Sequence, residues 1–244
     1  MASWCCRADN PRMLTPEETT ALALSLRVAA WCMVLGLLPG IALAWLLARR
    51  EFVGKGLLDA LVHLPMVLPP VVPGYLLLVA FGNNGVMGKF LQHWFGISLA
   101  FNWTGAVLAS LVMGLPLLVQ PIRLSFQLID SRLENAARTL GAGPWRVFFT
   151  ITLPLALPGI LVGALLSFSR SLGEFGATIT FVGNIEGETR TLPLAIYSYV
   201  HQPGGEEPAM RLIWISIVLS LGALLVSNAL TRRAQKQLGY RDHV

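Results

Sequence analysis

The chain has 244 residues, 55% hydrophobic and only 13% charged, with 18 Lys and Arg against 13 Asp and Glu. A soluble domain carries about 25% charged residues, so disorder, a coiled coil and most soluble folds are excluded. The net charge of +5 would suggest nucleic acid only if the basic residues gathered on one polar face, and they do not.

The first twenty residues are polar and mixed in charge, without the basic start and short apolar core of a signal peptide. Beyond them the apolar residues come in blocks, and a spanning helix needs roughly 20 of them in a row. Val28–Ala48 reads as a first span, with Arg27 at its edge able to extend toward the headgroups. Ala60–Phe81 is a second span, Thr104–Ile122 a third and Leu212–Thr231 a fifth. The fourth is Val147–Ser169, continuing through a polar break to about Val182. The expected division is a tail over 1–20, a transmembrane domain over 21–232 and a second tail over 233–244.

The short loops set the orientation through their Lys and Arg content. With the N-terminus outside, eleven basic residues fall in cytoplasmic segments and five in outer ones. The expectation is N-terminus out, C-terminus in. Trp31, Trp45, Trp103 and Trp214 lie near span ends, as interfacial anchors do. Residues 89–101 and 192–200 carry apolar residues at helix-like spacing and are expected to lie along the outer interface. Four prolines in LPMVLPPVVPG, Pro65, Pro69, Pro70 and Pro73, predict that the second span is broken.

The most informative stretch is the cytoplasmic loop over 130–154. Ser131 with Glu134 has the spacing of a capping box, and Leu133, Ala137 and Leu140 share one helix face. Gly141 suits a left-handed helix end and Pro144 the first turn of the next helix. Such a short helix, with small Ala136 and Ala137 flanked by Arg132 and Arg138, suits insertion into a groove on a partner.

Ala136-Ala137, Gly141, Ile151 and Leu153-Pro154 resemble the EAA loop of ABC importer permeases, EAA-x3-G-x9-I-x-LP. Asn135 stands where that pattern has Glu, and Glu134 comes one residue earlier. LPMVLPPVVPGYLLLV, RTLGAGPWRVFFTITLPL and SRSLGEFGATITFVGNIEGETRTLP are similar to the permease subunits of molybdate ABC transporters, over about residues 21–232. Sulfate and thiosulfate permeases share RSLGE and are the nearest alternative, and tungstate is a further possible cargo. The resemblance implies an all-α polytopic membrane protein of about five spans, like a type I ABC-importer permease, in the cell inner membrane. It further implies a second copy of the chain, two ATPase subunits and an extracytoplasmic molybdate-binding protein. Glu134, Ala136, Ala137, Arg138 and Gly141 would then form the ATPase-coupling loop.

The chemistry of other classes is missing. A P-loop needs G-x4-GK-[ST], and the closest string, GNNGVMGKF, has the wrong spacing and Phe after Lys. Three cysteines, Cys5, Cys6 and Cys32, give no disulfide framework, and no zinc spacing occurs. His63 is the only span histidine and has no nucleophile motif beside it, so neither an intramembrane hydrolase nor a cofactor is expected. A passive channel would have no use for the loop over 130–154.

Charges inside a span are costly and mark function. Arg170 and Glu174 are four residues apart, so they share a helix face and are placed to pair. Ser171 and Thr178 add hydroxyls, and Gly173 and Gly176 are expected to break the helix, so these six residues form a candidate translocation path. An oxyanion could use Arg170 transiently, while a carboxylate at Glu174 would repel it.

Overall fold

The structure, a computed structural model, describes residues 14–237. The expected tail residues Cys5, Cys6, Arg7 and Arg12, and Arg241 at the other end, lie outside the described residues.

Helix α1 runs over Pro16–Arg49 and begins inside the stretch read from sequence as a tail. The reason is local: the Glu18 N–H donates to Thr15 Oγ1 at 3.2 Å and the Thr15 N–H donates back to Glu18 Oε2 at 2.8 Å. This reciprocal capping box satisfies two free amides at the helix start. Glu18 is fully buried and pairs with Arg211 at 3.0 Å.

The second span is broken as the prolines predict. Helices α2 (Lys55–Val67) and α3 (Val71–Phe81) meet at 114° across Leu68-Pro69-Pro70. Helix α4 (Val86–Phe95) covers most of the first apolar outer loop. Helix α5 (Trp103–Leu128) is the central element, buried along most of its length and packed on α1. It leads to the short α6 (Ser131–Thr139) and α7 (Pro144–Val147).

The fourth span is bent and broken, where its prolines and its polar break fall. A π-helical turn over Phe148–Thr152 leads into α8 (Leu153–Leu155), and α9 (Leu157–Leu172) leaves at 65°. Pro154 and Pro158 each lack an N–H, so the regular ladder fails there and the helix bends. A second break, expected from Gly173 and Gly176, separates α9 from α10 (Gly176–Val182). Helices α11 (Leu192–Val200) and α12 (Glu206–Gln237) complete the chain. Helix α11 is more than interfacial: Leu192 and Ala195 are buried with Ala21 of α1 and Leu212 of α12.

Small residues let these helices approach closely, which drives association where lipid replaces water. A side-chain carbon at Gly163 of α9 would lie 2.5 Å from the Leu118 carbonyl oxygen of α5. Bulky apolar groups fill the space beyond: Phe126, Leu118, Ile122 and Leu47 make one core, Phe181, Val28 and Val182 another. Trp31 and Trp214 stay exposed, whereas Trp45 packs edge-on against Phe148 and Trp103 lies under the Arg27 guanidinium at 3.9 Å.

Two ends of the bundle are defined by polar ties. At one, Arg49 reaches Glu134 and Arg123 reaches Asp59 at 2.7 Å, so the loop over 130–154 shares an end with the close of α1. At the other, Glu18 meets Arg211, and the Leu192 N–H donates to Ser25 Oγ at 2.6 Å. Tyr199 lies at this second end, where burial and the neighbouring Glu17 carboxylate push its phenol above the usual range.

Candidate functional site

The loop helix α6 forms as expected, with one correction at its start. Asp130, not Ser131, is the cap residue, and its Oδ1 accepts the Arg132 N–H at 2.9 Å. Glu134 is therefore free of capping and turns back toward the bundle. Its Oε1 accepts from Arg49 Nη2 at 2.9 Å and from the Thr152 hydroxyl at 2.8 Å. One carboxylate oxygen thus ties α6 to the end of α1 and to the π-helical turn of the fourth span. Arg49 and Thr152 had no local sequence signal for this role, because Arg49 is 85 positions away.

Gly141 has φ +84, the left-handed corner its sequence position predicts. The Ala142 N–H donates back to the Ala137 carbonyl at 3.1 Å, closing the end of the helix. No residue of α6 is buried: Ala136 and Arg138 are exposed, and Leu140 is 89% exposed. Just beyond the corner, Trp145 and Phe149 stack at 6.3 Å on the surface. A capped helix held rigidly at Glu134, with an apolar flank left open, can transmit force from whatever grips it. The sequence reading did not include Trp145 and Phe149, though their i, i+4 spacing was there to be read.

The second constellation lies where α9 gives way to α10. Arg170 Nη1 and Glu174 Oε2 pair at 2.6 Å as expected, but across the helix end rather than on one helix face, because α9 stops at Leu172. The two side chains differ in exposure, 30% for Arg170 against 1% for Glu174. Glu174 Oε1 accepts the Ala177 N–H at 2.9 Å, so this carboxylate also caps α10. Arg170 instead lines a hollow of about 200 Å³ with Pro65, Met66, Leu68 and Pro70 of the broken span and Met113 and Leu117 of α5.

Close contact of α10 with that broken span depends on glycine. A side-chain carbon at Gly176 would lie 2.6 Å from Pro70, and one at Gly74 2.7 Å from the Ala177 carbonyl oxygen. Of the six path residues expected from sequence, Ser171, Glu174 and Thr178 are buried within the fold, and Gly176 is packed against Pro70. Gly173 is exposed, and Arg170 is the one that borders the hollow. A larger hollow of about 440 Å³ is lined by Trp31, Phe81, Trp103, Thr104 and aliphatic side chains, with no charged group to attract an ion. His63 Nδ1 lies 2.8 Å from the Asp59 carbonyl and 3.4 Å from the Asp59 carboxylate. Among the described residues, no group of three or more His, Cys, Asp or Glu is placed to hold a metal.

Known proteins are similar to this chain in sequence and in fold. A molybdenum transport system permease protein, ModB, of Haemophilus influenzae is 60% identical over 222 residues, covering 91% of this chain and 97% of its own length. The protein of that name from Escherichia coli K12 is 58% identical over 227 residues, 93% of this chain and 99% of its own. The crystal structure of a bacterial ABC transporter involved in the import of the acidic polysaccharide alginate shares the fold. Its TM-score is 0.72 at 18% identity, covering 90% of this chain and 80% of that one. The family described as binding-protein-dependent transport system inner membrane component matches residues 40–238. The chain belongs to that family, as a multi-pass inner-membrane subunit of an ABC transporter whose ATPase is a separate partner.

Proposed function

We infer that this chain is the permease of an ATP-driven importer whose cargo is molybdate. Identity of 60% along 97% of a molybdenum permease carries the assignment. The exposed, capped helix α6 and the bent helix pairs support it.

In this mechanism two copies of the chain form the membrane unit, with an ATPase subunit beneath each and a molybdate-binding protein on the outer face. The N-terminus lies outside and the C-terminus inside, as the eleven-to-five distribution of basic residues favours. ATP binding closes the two ATPase subunits and moves α6, gripped through Ala136, Ala137 and Arg138. Glu134 passes that motion to α1 through Arg49 and to the fourth span through Thr152. Packed elements respond as rigid bodies that shift between discrete arrangements. Here the bends at Ala156 and at Gly173 are the places where α9 turns relative to its neighbours. The cargo passes along the exposed side of the second break, by Arg170 and Gly173.

The test is uptake of labelled molybdate by the complex of permease, ATPase and binding protein in vesicles. The expected result is uptake that requires both ATP and the binding protein, with sulfate in equal amount competing weakly and tungstate strongly. Sulfate uptake without molybdate uptake would overturn the assignment.

A further inference from the structure

Glu174 looks, on sequence, like an obstacle to any anion near Arg170, and the tertiary structure removes it. The carboxylate is 1% exposed and both its oxygens are engaged, one by Arg170 and the other by the Ala177 amide at the start of α10. The ion pair with Arg170 and the amide hydrogen bond from Ala177 together hold the carboxylate in one place. The guanidinium is a planar fork with five N–H donors, of which one group faces Glu174. Arg170 is the charged member that borders the hollow, whose other walls come from Pro65, Met66 and Pro70 of the broken span and Met113 of α5.

We propose that Arg170, held in place by Glu174, is a transient contact for the tetrahedral oxyanion cargo inside the permease, in the hollow beside the broken second span. This rests on the importer function inferred above and deepens it by placing the contact in the hollow and giving Glu174 the positioning role. Glu174 is a positioning residue: it aims the fork and never touches the anion. Its partial neutralisation of Arg170 keeps the contact weak, and a conduction site must release its ion as readily as it admits it. The prolines that break the second span clear space in front of the guanidinium. The glycines at 74 and 176 let that span lie against α10.

The experiment uses the full complex in vesicles, with the parent as control for the importer function itself. If the parent takes up no molybdate, the function fails; everything below concerns Arg170 alone. The double variant Arg170→Gln/Glu174→Gln keeps a neutral hydrogen-bonding pair and the cap on α10. We expect it to assemble and hydrolyse ATP while molybdate uptake drops at least tenfold. Arg170→Lys keeps the charge without the fork and should retain between a tenth and a half of the parent rate. Uptake by the double variant within twofold of the parent would overturn the proposal.

A second measurement stands apart from the folding of those variants. With Cys5, Cys6 and Cys32 replaced by serine, Met66→Cys is labelled by a small neutral thiol reagent in the presence and absence of molybdate. Molybdate should slow labelling at least threefold when Arg170 is present and leave it unchanged in the double variant. Equal labelling with and without molybdate when Arg170 is present would overturn the proposal.

Discussion

Glu134 of α6 and Arg49 at the close of α1 are joined at 2.9 Å across 85 positions of sequence. The same carboxylate oxygen accepts from Thr152, so three segments meet at one atom. We predict that Glu134→Ala lowers molybdate uptake about tenfold while the ATPase still co-purifies with the permease. The charge-swapped pair Arg49→Glu/Glu134→Arg should recover part of that loss. Uptake and ATP hydrolysis measured in vesicles check this, and an unaltered ratio of the two in Glu134→Ala would refute the tie.

Gly141 sits at φ +84, with open space where a side chain would go. Valine there meets no clash, only backbone strain of roughly 1–2 kcal/mol. Gly141→Val is therefore expected to insert and dimerise but to lose cargo-stimulated ATP hydrolysis, because the corner after α6 shifts. Ala137→Asp should act in the same direction by placing a charge where the partner closes. Retention of stimulated hydrolysis in both would reduce the loop to a connector.

Topology can be read with reporter fusions. Fusions after Arg146 and after Arg233 are expected to report the cytoplasm, and one near Gly187 the outer side. The reverse pattern would invert the whole assignment of ends.

Close helix approach makes its own prediction. Gly163→Val puts a β-branched group against the Leu118 carbonyl, where even one carbon would be 2.5 Å away. Over-packing of this kind costs about 1–3 kcal/mol. Thermal unfolding of the detergent-solubilised protein should shift to lower temperature, while Gly222→Val, at a position facing open space, should not shift it.

Accessibility separates the residues at the second break. Gly173→Cys should react with polar thiol reagents in a nucleotide-dependent way, since this position is exposed. Thr178→Cys should stay protected, because Thr178 is 1% exposed. Rapid labelling at Thr178 in every nucleotide state would place the path on the other face of α10.

Much of this protein was legible in one dimension because the bilayer imposes length and composition on each span. Block lengths gave the spans, four prolines gave the broken second one, and the glycines at 173 and 176 gave the second break. Helix α6 was legible too, since caps and corners are local: Gly141 and Pro144 sit where their own backbone preferences put them. Capping was misjudged by one residue, because Asp130 and Ser131 compete for the same amides and only the folded chain shows which wins. What the tertiary structure alone decided is which polar groups meet across distance. Neither periodicity nor spacing links Glu134 to Arg49, and nothing local shows that Glu174 is buried while Arg170 faces a hollow. Local chemistry selects each helix and its ends; burial and long-range pairing select which of its faces carries the work.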